Sequence, residues 1–458
     1  MPKNSEKTNT AKNICRIAAC LITGMAIRQF LCQQKKDKTS PHIVILHAGE
    51  KKSSCSWLFF RTFVNITRNT NRMTNIQERI AVQTEDSLAE ISKFETKDGV
   101  TEYHVIIHAT CPEQTFQEQL NAVLNNYYSL LKTTLKGASS VIKRYFLSDA
   151  ANQYNTLLAT VPEVPACACS VVEQAPLDGT KIALWVNLQT EICEANFSHG
   201  LYRVKHGAYT HLWGGSATAE ADTSEGQTSL LLKDYVMQLL NNGAHLADNC
   251  IRTWFFVQNV DTNYAGVVSA RNEEFYTQNL TPKTHFIAST GIGGRNANPK
   301  ILVQLDNYAV IGIDPKKQVK HLYAPTHLNP TYEYGVSFER GTRVDYGDRR
   351  QVFISGTASI DNKGNILHVG DIRKQTERMW ENVDALLKEA ECGFDDVSQM
   401  IVYLRDPADH AVVSKMFNRR FPDIPKVIVL APVCRPGWLI EMECMATKAI
   451  TNEAFPKF

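Results

Sequence analysis

Apolar positions along the chain recur with two periods, and the two alternate in a fixed order. In residues 116–158, FQEQLNAVLNNYYSLLKTTLKGASSVIKRYFLSDAANQYNTLL, the residues Val123, Leu124, Tyr127, Leu130 and Leu131 fall at helical spacing. Gly137 stands where that helix should stop in a left-handed turn. A run rich in Val, Ile, Tyr and Phe follows, reads as a strand ending at Asp149, and leads into a second helix. Residues 372–413, IRKQTERMWENVDALLKEAECGFDDVSQMIVYLRDPADHAVV, keep the same order. There Met379, Val383, Leu386 and Leu387 form the helical stripe, Gly393 is at its end, and the strand closes at Asp406. In both segments a Gln lies seven residues before an Asn, as in Gln119 to Asn126 and Gln375 to Asn382. Residues 227–275 are a looser third copy, with Gln227, a helix, Gly243, a strand through Trp254 and Phe256, Asp261 and a helix.

Each unit therefore reads strand–strand–helix–strand–helix–strand–strand, an α+β arrangement with two helices on one face of a mixed sheet. The predicted bounds are 73–195, 196–330 and 331–458. Within the last unit, VCRPGWLIEMECMA at 433–446 alternates like a strand after a turn at Arg435-Pro436-Gly437. Trp438, Ile440, Met442 and Cys444 share one face; Leu439, Glu441, Glu443 and Met445 share the other. Either the second face looks at water, as in many antiparallel sheets, or a carboxylate is held at an interface.

At 458 residues, 43% hydrophobic and 21% charged, the chain has ordinary globular composition and ample core. The net charge of +2 excludes a general nucleic-acid binder but hides a split. Residues 1–72 hold 13 Lys and Arg against three acids, and the remainder holds 36 against 44. IAACLITGMAI at 17–27 is bracketed by Arg16 and Arg28 at a length far short of a membrane span. Residues 1–72 are expected to be disordered or an upstream extension of the reading frame, the working protein beginning near Met73, with a signal or anchor as the rival. Twelve cysteines show no metal-ligand spacing, since Cys167-Ala-Cys169 is too tight, and reduced thiols in a cytoplasmic protein are expected. STGIGG at 289–294 lacks a following Gly-Lys-Ser/Thr. No cofactor and no metal are expected.

The three units resemble the YjgF/Rid family, homotrimers with a ligand site at each subunit interface. The resemblance implies a single-chain pseudo-trimer of Rid-like (chorismate-mutase-like) repeats, sheets inward and helices outward, monomeric or weakly oligomeric. From about residue 206 the chain is similar to the chorismatases, hydrolases that remove the enolpyruvyl group of chorismate. RTWFFV at 252–257, Tyr264 with Arg271, STGIGG at 289–294, Tyr334-Gly335 with Phe338-Glu339-Arg340, FISGTASI at 353–360, HVGDIRKQ at 368–375, VYLR at 402–405 and VCRPGWLIEME at 433–443 carry the likeness.

Such a reaction needs a general acid whose pKa is raised by apolar surroundings, and arginines to grip two carboxylates. Glu441 matches the position of the chorismatases' catalytic Glu, with Glu443 as its neighbour on the same face. Arg252 and Arg405 stand at the ends of apolar strand regions, and Arg271 lies on a helix two turns after Tyr264. Tyr334 is a candidate hydrogen-bond donor to a substrate oxygen. Gly356 and Cys434 are the residues of the 3-hydroxybenzoate-forming branch; Gly leaves room for a ring to shift, and a thiol donates weakly or attacks carbon. His368 with Asp371 reads as loop-shaping. Two other readings stay open: a Rid-type enamine or imine deaminase using Glu441 with Lys426, or a non-catalytic small-molecule binding protein. In every reading the partner is a small molecule, a carboxylate in the first two, with neither nucleic acid nor membrane.

Overall fold

Each repeat becomes one mixed sheet with two helices on its outer face. The computed structural model describes residues 63–67, 77–161 and 167–458. The first sheet contains β1 (Phe63–Thr67), β2 (Gln77–Gln83), β3 (Ser87–Phe94), β4 (Glu102–Ala109), β5 (Ser139–Leu147), β6 (Ala168–Glu173) and β7 (Ile182–Gln189), with helices α1 (Phe116–Lys132) and α2 (Ala150–Thr160). The second contains β8 (Glu194–Ser198), β9 (Leu201–His206), β10 (Tyr209–Thr218), β11 (Cys250–Val257), β12 (Ala288–Gly293) and β13 (Val303–Ile311), with α3 (Ser224–Asn241) and α4 (Val260–Thr277). The third contains β14 (Val319–Leu322), β15 (Gly341–Asp345), β16 (Arg349–Ala358), β17 (Val397–Leu404), β18 (Lys426–Leu430) and β19 (Ile440–Ala449), with α5 (Ile372–Glu389) and α6 (His410–Arg420). Strand orders are β1-β2-β3-β4-β7-β5-β6, β12-β11-β13-β10-β9-β8 and β14-β15-β16-β19-β17-β18.

The repeats agree down to their irregularities. The strand after the first helix carries a bulge at the same place in all three, between Ser140 and Ile142, Cys250 and Arg252, and Val397 and Gln399. Counting from that bulge aligns the last strands. Glu443 corresponds to Asp306 and Trp185, and Glu441 corresponds to Gln304 and Ala183.

The repeated glutamine also has a physical role. Its side-chain oxygen accepts the backbone N–H just before the last strand in every unit: Lys181 to Gln119 (2.7 Å), Leu302 to Gln227 (2.8 Å) and Leu439 to Gln375 (2.9 Å). Its amide nitrogen donates to loop carbonyls on the other side, such as Gly437 for Gln375 (2.8 Å). Each first helix thereby clips the loop that feeds the central strand of its sheet.

The sheets meet in a cyclic order that closes a common core. β6 packs along β10, β12 along β16, and β17 along β3 and β4. Ile106, Trp185, Trp213, Trp254, Tyr308, Phe353 and Ile401, drawn from all three sheets, belong to one buried cluster. The molecule is a single-chain pseudo-trimer with sheets inside and helices outside. No helix among the described residues is long and apolar enough to cross a membrane.

Three details differ from the sequence reading. Every sheet has an extra edge strand, because the leading hairpins continue outward as a meander. The third sheet starts at Val319, inside the second repeat as bounded above, since β14 pairs with β15 across the Pro-rich loop. Gly393 has φ −144°, and the left-handed position after α5 is taken two residues earlier by Glu391. Of the two alternatives open for β19, the structure takes the interface: both faces are buried, so neither of its carboxylates looks at open water. The segment 1–72 lies outside the described residues except for Phe63–Thr67, which pairs antiparallel with β2 at the sheet edge.

Candidate active site

A pocket of about 490 Å³, open to solvent, lies at the seam between the second and third sheets. Its floor is where β12 meets β16. Ala288 bridges Glu339 in parallel, Ile292 bridges Val433, and the Gly293 N–H donates to the Pro432 carbonyl (2.9 Å). Glu441 enters from β19, Thr290 and Gly291 from β12, Gly356 from β16, and Tyr264 and Arg271 from α4. Tyr334, Phe338 and Arg340 come from the stretch before β15, and Cys434, Arg435 and Trp438 from the loop that Gln375 clips.

Two glycines make room here. A Cβ on Gly356 would stand 2.0 Å from Glu441 Oε1, and one on Gly291 would stand 2.6 Å from the Tyr264 ring. Any side chain at either position displaces a pocket group.

Glu441 and Glu443 share a face of β19 and lie in opposite environments. Glu443 accepts from Arg252 (2.8 Å), from the Trp254 indole (2.7 Å) and from the Thr290 hydroxyl. Arg144 stands 3.9 Å from it and pairs with Asp306 at 2.9 Å. Two arginines and two carboxylates thus balance in the middle of the molecule. Glu441, 5% exposed, accepts no hydrogen bond from a described residue and forms no ion pair. Loss of hydration, with the neighbouring charge of Glu443, pushes its pKa up to about 8 against the pull of Arg340 and Arg252. At neutral pH it holds its proton.

Arg271 is 1% exposed and lines the pocket with Nε and Nη2 unpartnered among the described residues. A buried guanidinium with free donors on a pocket wall has the geometry to accept a planar anion. Arg340 is held by the carbonyl and side-chain oxygens of Asn329 (3.0 and 3.1 Å) beneath the faces of Tyr334 and Phe338. Arg435 sits 4.5 Å from the Tyr334 ring and 5.5 Å from Trp438 at the rim.

Of the residues singled out from the sequence, Glu441, Cys434, Arg271, Tyr264, Tyr334 and Gly356 meet in this pocket. Arg252 and Arg405 do not. Arg252 points into the central network, where Glu443 occupies its guanidinium. Arg405 donates to the Val433 carbonyl (2.7 Å) and pairs with Asp261, tying the pocket loop to the start of α4 from behind. Burial, with the charge of Glu441, pushes the Cys434 thiol up to about 12, so it is a weak donor beside Tyr264 and not a thiolate nucleophile. His368 adopts φ +58°, and its carbonyl accepts from Asp371, the N-cap of α5, in a loop-shaping arrangement. Lys426 lies away from the pocket, against Glu90 where the third sheet meets the first. Arg340, Arg435, Phe338 and Trp438 were not predicted. Their signal was an arginine set among aromatic residues in each of two turn-like stretches, 334–340 and 435–438.

The cysteines of the described residues are all unpaired, and no cluster of metal-binding side chains occurs among those residues. Three sheet-and-helix units round a shared core, with a cleft at a unit boundary, define the class as an α+β pseudo-trimer with an interface cleft. The endoribonuclease L-PSP family description matches residues 343–448, the bulk of the third repeat. A RutC family protein of Pyrococcus abyssi is 35% identical over 99 residues, 21% of this chain and 78% of its own length. The 3-aminoacrylate deaminase RutC of Acinetobacter baylyi is 29% identical over 97 residues, 21% of this chain and 77% of its own. A crystal structure of a chorismatase superposes with a TM-score of 0.54 at 18% identity, covering 67% of this chain and 93% of that one, and so shares the fold. The chain belongs to the YjgF/Rid superfamily.

Proposed function

We propose that the protein is a chorismatase-like enzyme that cleaves the enol ether of chorismate, releasing pyruvate and giving a hydroxybenzoate. The observation that carries the reading is the buried Glu441, its pKa raised by burial, facing a pocket with three arginines in its walls, of which Arg271 has unpartnered donors. The enolpyruvyl methylene carbon is electron-rich, and Glu441 donates its proton there. The adjacent carbon becomes electrophilic, the ring C–O bond breaks with its electron pair completing the pyruvate carbonyl, and the ring cation takes up water or another of its oxygens and releases a proton that restores Glu441. Hydrolysis adds one water and leaves a diene-diol; the hydroxybenzoate outcome releases pyruvate with no net water, the ring becoming aromatic. Arg271 and Arg340 suit the two carboxylates of the substrate, and Tyr264 and Tyr334 suit its oxygens. The space beside Gly356 accommodates movement of the ring.

A second reading draws on the deaminase named among the relatives. An enamine is also protonated at carbon, so Glu441 serves that reaction by the same step. A small enamino acid needs one anchoring arginine, and the second arginine favours chorismate.

Incubation with chorismate, with released pyruvate coupled to NADH loss and hydroxybenzoates scanned in the mixture, separates these readings. Pyruvate with an aromatic acid, lost by about a thousandfold or more in Glu441→Gln, is the expected result. No pyruvate from chorismate, with turnover of 3-aminoacrylate instead, would sink the first reading in favour of the second. In a productive assay, the Gly356→Ala, Cys434→Ala double variant shifts product from the aromatic acid toward the diol.

A further inference from the structure

Behind the Phe338–Arg340 wall of the pocket lies a second cavity of about 470 Å³ with its own mouth. One side is the loop from Thr281 to Phe286 leading into β12, the other is the Pro-rich loop from Tyr323 to Tyr332. Neither loop is used by the chemistry proposed above. Phe286 and Phe338 form apolar walls, and Tyr323 and Tyr332, both nearly half exposed, stand at the rim.

Glu339 is the polar centre of this cavity. Its backbone is pinned on both sides: its N–H donates to the Ile287 carbonyl (3.0 Å), and its carbonyl accepts from the Ser355 hydroxyl (2.6 Å). The side chain is 5% exposed, and one oxygen accepts the Phe286 N–H (2.7 Å). The other oxygen has no hydrogen-bond partner among the described residues, and the carboxylate has no salt bridge there. Desolvation pushes its pKa up to about 7, above what the Phe286 N–H and the charge of Arg340 can offset. Arg340 is adjacent but forms no ion pair with Glu339: its Nη2 donates to Asn329, its guanidinium lies against the ring faces of Tyr334 and Phe338, and its Nε has no partner among the described residues. His285 stacks on His321 at 4.3 Å and faces the Phe286 carbonyl with Nδ1.

We infer that this cavity is a second ligand site, taking a planar organic cation whose charged end meets Glu339 and whose flat body lies among the aromatic walls. A buried carboxylate that is not ion-paired within the protein gains most from a ligand that brings a cation into contact, and ring faces add attraction for the same charge. The site does not depend on the reading of the first pocket.

Benzamidine, its neutral isostere benzamide and the anion benzoate are the probes, followed by calorimetric titration. Benzamidine is expected to bind about tenfold or more tighter than the other two, to lose about tenfold in Glu339→Gln, and to bind Glu441→Gln unchanged. Tyr332→Ala, a half-exposed rim change that leaves the core intact, is expected to weaken it several-fold. Equal affinity for benzamidine and benzamide, no benzamidine binding, or loss in Glu441→Gln in place of Glu339→Gln overturns the inference. Should Glu339→Gln fail to fold, an unaltered affinity in Tyr332→Ala overturns it equally.

Discussion

The junction between the second and third sheets and the junction between the first and second are built on the same register, but they are filled differently. Where the first and second sheets meet, Ser216 occupies the position of Gly356, Val171 that of Gly291, and Gln304 that of Glu441. The Val171 N–H donates to the Ser216 hydroxyl (2.8 Å), and the Gln304 amide donates to the Val171 carbonyl (3.1 Å). Two polar side chains thus stitch one strand to the next sheet. At the other junction Gly356 lacks the serine hydroxyl, Glu441 replaces the amide donor and Gly291 removes the valine side chain, so the Glu441 carboxyl stands in the opened space without a hydrogen-bond partner among the described residues. The scaffold is indifferent to which is built. Three side chains decide whether a seam is a weld or a pocket.

The same contrast runs within β19. Glu443 belongs to the weld, in the central network, and Glu441 to the pocket. The sharpest break of this comparison is Arg252→Met, which leaves Glu443 buried without its closest cation. It is expected to cost about 3–5 kcal/mol, read from the denaturant midpoint. A change below about 1 kcal/mol would mean that Arg144 alone compensates.

Gly356→Ser, which copies the welded junction, is expected to lower kcat/KM by about a hundredfold or more, by pushing the Glu441 carboxyl aside. Its stability should hold much better than that of Arg252→Met. Arg271→Met is expected to raise KM for a carboxylate substrate about tenfold to thirtyfold, with little change in melting temperature.

The pH dependence follows from the sign at Glu441. Its folded pKa is raised to about 8, so the acid form persists at neutral pH, and kcat/KM falls about tenfold per pH unit above that value. For stability, the folded chain keeps a proton that the unfolded chain gives up from its ordinary pKa near 4.5. The site therefore costs stability progressively from that pH up to about 8, a slope that Glu441→Gln removes.

The smallest effect belongs to the third junction, where His108 stands 3.6 Å from Glu90 and 3.5 Å from Asp178. Burial opposes its charge, but the two carboxylates outweigh burial and push its pKa up to about 9. Its contribution is fully present below its ordinary pKa of 6.5 and is lost as pH rises through 9. His108→Gln is expected to cost about 1 kcal/mol at pH 6 and nothing measurable at pH 10.

The repeats were legible because their marks are local: helical stripes, the glutamine clip and the strand that follows. Glu441 was legible for the same reason, since period two put it with Glu443 on one face of a strand. The arginines were harder. Arg252 and Arg340 lie on either side of a seam, and which one faces the cleft depends on how β12 and β16 dock, a contact between segments far apart in sequence. Arg271, next to Glu273 and Glu274, had the look of a surface residue. Its burial comes from α4 packing at the seam, with Phe255 and Phe338 beside it. The extra edge strands and the start of the third sheet at Val319 were missed because short polar edge strands carry little apolar periodicity.

The glutamine clip has a bearing on how the protein is made. In each sheet the last strand to be synthesised is inserted between two strands made earlier, and in the third sheet that strand is β19. A chain emerging from the ribosome can assemble two finished units and an open third one, but it has no acid and no cleft floor until β19 slots between β16 and β17. The cleft should therefore form only once β19 has been made, with no partly built cleft on the nascent chain.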